Sequence, residues 1–272
     1  MTTRCLLTCV LALLPSLGTA APLTATQFQD WSRVGAHEAG VVWTWTSDNV
    51  TNDCAGVPLV CESVPTAATQ SYLRTSATAF TDGVGGSGLG IRSRDGHVEA
   101  IAETHEQGLF DVIGPDPIDV HVQGFFPSIS LFGIFAPGSV LGYDIIVSRD
   151  GHIFFETHGS LTDTGFTSTG DDIGAVFDAR HHAVFAPPFL LDRTFQEEGE
   201  FGLMVTKRLK LTGTDWVEIA DARMTDPEGV SAPGIVRNGV AGTIADVPEP
   251  TVLCLMGVAL AYAARSRRVR CK

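Results

Sequence analysis

Histidines placed near acids give this chain its most chemically suggestive pattern. Ser93-Arg94-Asp95-Gly96-His97 recurs as Ser148-Arg149-Asp150-Gly151-His152, and a Glu-Thr-His follows each copy, at Glu103 to His105 and at Glu156 to His158. Imidazoles beside carboxylates can hold a metal ion or pass a proton. The spacing argues against a shared ion. His152 and His158 fall on one face of a regular strand, but about 20 Å apart at roughly 3.3 Å per residue. His97 and His105 fail likewise unless the strand bends, so all four read as surface histidines beside turns. The copies are offset by 55 residues at the first motif and 53 at the second. A tandem repeat would hold one period, so the pattern reads as two similar hairpins. His181 and His182 would point to opposite faces of a strand, with no carboxylate partner at a fixed spacing.

Other motifs are equally thin. His37-Glu38 lacks the second histidine of a zincin helix, and Ser87, within Gly-Gly-Ser-Gly, lacks the glycine that completes a nucleophile elbow. Asp82-Gly83-Val84-Gly85-Gly86 and the stretch Asp163 to Asp172 invite a calcium reading. Neither matches the EF-hand spacing, and polar turns account for both. No P-loop or dinucleotide fingerprint is present. The expectation is therefore no catalytic residue, no metal and no cofactor. The paired carboxylates of a glycosidase have no short motif, which keeps that alternative open.

The elements that would carry these residues are strands. Val41 to Thr46 and Ile118 to Val122 alternate with period two, and further candidates are Leu141 to Ser148, His152 to His158, Ala183 to Phe185, Phe201 to Lys210 and Trp216 to Ala222. Only Thr24 to Val34, with Phe28 and Trp31 near helical spacing, reads as a helix. Around Arg149-Asp150-Gly151 a three-residue hairpin loop with a G1 bulge is expected, pairing Ser148 with His152 and Val147 with Ile153. That register gathers Tyr143, Ile145, Val147, Ile153 and Phe155 on one face. Many such strands between Gly, Pro and Asp turns predict an all-β antiparallel β-sandwich, with a jelly roll as one candidate arrangement.

Both ends read as targeting segments. Met1 to Ala20 has Arg4 as its basic start, an apolar stretch from Cys5 to Leu14, Pro15, and small residues ending at Ala20, so signal peptidase would cut between Ala20 and Ala21. At the other end, Pro248, Glu249 and Pro250 lead into an uncharged run from Thr251 to Ala264, followed by Arg265, Arg267, Arg268, Arg270 and Lys272. As a helix that run rises about 21 Å, short of the roughly 30 Å hydrocarbon core, and the arginines would snorkel to the cytoplasmic interface. Such a span suits a temporary anchor in the inner membrane. An ordinary tail anchor is the competing reading.

The triplet, apolar run and arginine-rich end resemble the PEP-CTERM sorting signal of Gram-negative bacteria. The resemblance covers about the last tenth of the chain, residues 247 to 272. It implies that a membrane-embedded, exosortase-like enzyme recognises Pro248, Glu249 and Pro250 and removes the anchor. Residues 21 to 246 would then form a single exported domain.

Removing both segments leaves 12 of the 18 basic and 30 of the 31 acidic residues, a formal −18. That balance excludes nucleic acid, which needs a basic footprint. Cys5 and Cys9 leave with the leader, and Cys254 and Cys271 with the tail, so Cys54 and Cys61 remain. In an oxidising compartment they should close a disulfide, contributing roughly 2.5 kcal/mol. The expected function is structural or adhesive, at the cell surface or in an exopolysaccharide matrix. The rival is a carbohydrate-binding module or a glycosidase-like sandwich with the same tail. It would expose Trp43, Trp45 or Trp216, which otherwise read as core.

Overall fold

Strands make up most of the chain described by the computed structural model, and most of the alternating runs fold as strands. The described residues are 23–52, 54–55, 60–61, 66–81, 87–113, 117–213, 216–225 and 242–244. The leader with Ala20 and Ala21, the tail from Pro248 to Lys272 and the Asp82 to Gly86 cluster lie outside them. In chain order come β1 (Leu23–Glu38), β2 (Thr46–Asn52), β3 (Cys54–Ala55), β4 (Val60–Cys61), β5 (Thr66–Tyr72), β6 (Thr75–Thr81), β7 (Ser87–Gly96) and β8 (Val98–Val112). Next are β9 (Ile118–Phe126), β10 (Ser128–Phe135), β11 (Val140–Arg149), β12 (His152–Thr162), β13 (Gly165–Gly170) and β14 (Val176–Asp178). The series ends with β15 (Ala183–Ala186), β16 (Phe189–Glu197), β17 (Gly199–Thr212), β18 (Val217–Thr225) and β19 (Gly242–Ile244).

Two seven-stranded antiparallel sheets pack face to face as a β-sandwich. The front sheet runs β13-β12-β11-β17-β8-β1-β2 and the back sheet β14-β15-β10-β18-β7-β6-β5. A smaller sheet orders β16-β9-β19. Leu141, Ile145 and Leu209 of the front sheet and Ile91, Ile129 and Leu131 of the back sheet are at most 1 % exposed, which marks the core between the layers. Apolar burial of this kind is the main driving force for stacking two sheets.

The expected helix over Thr24 to Val34 is a strand, the first part of β1. Its inward positions are Phe28, Asp30, Ser32 and Val34, all at most 2 % exposed. Two of those four are polar, so the period-two signal was hidden from a reading by hydrophobicity. Val41 to Trp45 is likewise not a strand, and β2 begins only at Thr46.

The two Arg-Asp-Gly-His motifs also part company. The second forms a hairpin between β11 and β12, but with a two-residue loop in which Asp150 (φ 48°) and Gly151 (φ 79°) are both left-handed. Arg149 pairs with His152 and Ser148 with Ile153, and the ladder then shifts so that Val147 pairs with Phe155. This bulge restores the alternation. Tyr143, Ile145, Val147 and Phe155 share the buried face as expected, whereas Ile153 is 54 % exposed. The first motif has only Asp95 (φ 49°) left-handed, and there the chain passes from β7 in the back sheet to β8 in the front sheet. A two-residue hairpin turn of this type needs both central residues at positive φ, which explains why only one copy doubles back.

Gly170 ends β13 with φ 85°, and a Cβ there would press well inside contact distance of the Glu156 carbonyl oxygen. Gly40 has a similar φ of 81° with nothing within 4 Å. Gly40→Ala should therefore cost about 1 kcal/mol from backbone strain alone, and Gly170→Ala clearly more. Urea denaturation midpoints of the two variants test this, and equal losses would contradict the clash.

Candidate functional site

The outward face of the front sheet carries a row of charged side chains that crosses five strands. In register, Arg33 of β1 faces Glu103 of β8, which faces Arg208 of β17, then Asp144 of β11 and His158 of β12. The signs alternate along the row. Arg33 Nε donates to Glu103 Oε2 at 3.1 Å, and Arg208 Nη2 donates to Oε1 at 2.7 Å. Arg208 Nη1 lies 3.5 Å from Asp144 Oδ2, and His158 Nδ1 is 2.7 Å from Asp144 Oδ1.

Glu103 anchors the row. Its side chain is fully buried although it points away from the core, because its partners roof it over. His105 Nε2 adds a third donor, 2.6 Å from Oε1. Burial alone would raise this carboxyl, but hydrogen bonds from His105, Arg33 and Arg208 outweigh it and hold the pKa at about 2. An ionised carboxylate only accepts, so His105 Nε2 carries the proton of that bond. At the far end, the hydrogen bond to Asp144 raises His158 above its ordinary value, with Glu156 adding to it.

Beside the row stands a continuous stack of flat groups. Trp31 and His105, cross-strand partners, have ring centroids 3.7 Å apart and nearly parallel planes at 8°. The Arg33 guanidinium sits 4.0 Å over the Trp45 ring and 5.2 Å from that of Trp31. Trp45 stacks on Trp43 at 5.3 Å, and His37 meets Trp43 edge-on at 3.9 Å. The loop after β1 folds back to deliver Trp43 and Trp45, and Gly35 leaves the space. A Cβ there would fall 2.9 Å from the Trp43 ring. Trp45 stays 40 % exposed at the end of the stack. Farther along the same face, an open cleft of about 490 Å³ is lined by residues that include Gln107, Asp150 and Met204.

Flat apolar faces flanked by fixed donors and acceptors can hold a sugar ring, stacking on one side and hydrogen bonding at the edge. Among the described residues no group of three or more His, Cys, Asp or Glu could hold a metal ion. The tryptophans expected in the core are not in it: Trp43 is half-buried, and Trp216 is 45 % exposed beside His97. His181 and His182 lie in a turn, and His181 Nδ1 is 2.5 Å from Asp178 Oδ2, a carboxylate three residues earlier. His182 Nε2 instead meets the Thr162 carbonyl at 2.7 Å.

Both Glu-Thr-His motifs lie on this face, and each pairs its own acid and histidine. His105 and His158 are nonetheless separated by β17 and β11, so they do not converge. Asp171 and Asp172 serve turns, accepting from the Glu156 and Gly174 amides at 3.0 and 2.8 Å. Cys54 and Cys61 are opposite each other in the β3–β4 ladder. Arg33, Arg208 and Asp144 were not singled out by sequence, since each is an isolated charge until the strands align. No family model matches the sequence, and neither a curated protein nor a solved structure is significantly similar to it.

Because the folded pKa of Glu103 is depressed, its stabilisation is complete above the ordinary value of 4.5 and disappears as pH falls toward about 2. Glu103→Gln should lower stability at neutral pH by about 3 kcal/mol and flatten the pH dependence in that acid window. Chemical denaturation across the range measures both effects. For His158 the sign reverses: its raised pKa stabilises the fold below the ordinary 6.5, and the contribution is lost as pH rises through the folded value. NMR titration of Asp144→Asn should show the His158 midpoint moving down.

Proposed function

We propose that this chain is an exported bacterial protein of the cell surface or extracellular matrix, with a structural or adhesive role. The observation that carries this reading is the tail: Pro248, Glu249 and Pro250, then an apolar run too short for a comfortable permanent span, then five cations. Signal peptidase would release the leader before Ala21, and an exosortase-like enzyme would remove the anchor after a transient stay in the inner membrane.

A second reading is favoured by the stack of Trp31, His105, Arg33, Trp45 and Trp43. It makes the domain a carbohydrate-binding module, with exopolysaccharide as its ligand class. The two readings are compatible, because adhesion to a matrix requires a surface that grips polysaccharide. Trp45 is the contact residue, being the exposed end of the stack.

In a strain with active sorting machinery, the mature protein should begin at Ala21, lack the tail and leave the inner membrane. Glu249→Ala should leave the tail-bearing form in the inner membrane, as seen by fractionation and intact mass. Unchanged processing of that variant would point to an ordinary anchor. Trp45→Ala should weaken exopolysaccharide binding about tenfold without altering the fold. Equal binding by the variant in a pull-down would remove the carbohydrate reading.

A further inference from the structure

Between the two sheets lies a pair of charges that neither the sorting tail nor the outer face uses. Lys207 of β17 and Glu106 of β8 are 2 % and 1 % exposed. Lys207 Nζ is 3.1 Å from Glu106 Oε1 and 2.7 Å from Ser87 Oγ, and it faces the Phe126 ring at 5.6 Å. The amine is thus held on three sides, aimed at one carboxyl. A second carboxyl, that of Asp30, is 0 % exposed on β1, directly cross-strand from Glu106 and on the same inward face. Opposed residues on one face have Cβ atoms about 4.5 to 5.5 Å apart.

A buried ion pair is an uncomfortable structural device. Each charge gives up its hydration, and a well-packed neutral replacement is often at least as stable. One neutral replacement is available from the same atoms, namely the amide that joins them. Such a bond needs an amine held against a carboxyl, a neighbouring group to move protons, and exclusion of the water that would reverse it.

We infer that Lys207 and Glu106 condense into an intramolecular isopeptide bond, with Asp30 as the proton carrier. The ammonium first passes a proton to Glu106 Oε1 across their hydrogen bond, leaving a neutral amine and a carboxylic acid. The Nζ lone pair then attacks Cδ, the C–N bond forms, and the carbonyl π pair moves onto oxygen. The Asp30 carboxylate takes a second proton from nitrogen and delivers it to the departing hydroxyl. The C–O bond breaks and one water leaves. Ammonium plus carboxylate thus become amide plus water, with no oxidation or reduction. Ser87 positions the amine throughout. The product ties β17, the central strand of the front sheet, to its neighbour β8 covalently, a useful property for a protein exposed outside the cell.

The test is the intact mass of the whole protein, denatured and reduced so that any disulfide is open. The wild type should be lighter than its sequence mass by one water. A tryptic digest should contain one branched peptide carrying both Glu106 and Lys207, uncut at Lys207. Glu106→Gln should still cross-link, now losing one ammonia. Lys207→Arg and Asp30→Asn should keep the full sequence mass, and folding of each is checked by circular dichroism. Folded wild type of full sequence mass, with Glu106 and Lys207 in separate peptides after prolonged incubation, would overturn the inference. So would a branched peptide that joins other residues. Should Lys207→Arg fail to fold, the wild-type mass and the Glu106→Gln mass still decide the matter.

Discussion

Lys207 and Arg208 are consecutive cations on β17, and β geometry sends them to opposite sides of the sheet. Each meets a glutamate of the neighbouring β8: Lys207 finds Glu106 inside the sandwich, and Arg208 finds Glu103 outside. This double match fixes how β8 and β17 align. A one-residue slip would turn Lys207 out of the core and drive Arg208 into it, stranding both glutamates. The interior ion pair and the exterior charge row are therefore two sides of one register.

The interior around that pair is polar in one patch and apolar elsewhere. Ser32 and Thr104 lie beside Lys207 on the inward face, and Thr66 of the back sheet donates to Ser32 at 3.2 Å. Thr66 and Thr81 are 3.3 Å apart, and Ser87 completes the link to Lys207. Hydrogen bonds of this kind are directional, so the patch constrains how the sheets sit on each other, whereas the leucine and isoleucine core would tolerate sliding. Buried polar contacts add modest net stability but penalise wrong arrangements strongly.

On the outside, the same sheet becomes a platform. Five strands supply one side chain each to the charge row, which holds the long arginine side chains in place. Arg33 is restrained on one side by Glu103 and on the other by Trp45, so the tryptophan stack and the charge row brace each other. Rigid, partly exposed aromatics can make contacts with little loss of side-chain freedom. The absence of a side chain at Gly35 matters as well, because it lets the Trp43 ring approach the β1 backbone closely.

Much of the fold was legible along the chain. Ile118 to Val122, Leu141 to Ser148, Phe201 to Lys210 and their neighbours show local alternation, and that periodicity determines strands and, collectively, a sandwich. Where Asp30 and Ser32 occupy inward positions the hydrophobic alternation disappears, so Thr24 to Val34 mimics helical spacing although it is a strand. The Arg-Asp-Gly-His copies show the same limit, since identical residues make a hairpin in one place and a corner between sheets in the other. By itself the sequence determined strand content and the near absence of short catalytic motifs, because both are written in neighbouring residues. Only the tertiary structure decided that Glu103 would gather Arg33 and Arg208, and that Lys207 would meet Glu106 more than a hundred positions away. Those pairings depend on which strands lie side by side, and strand order is set by burial and register across the whole sandwich.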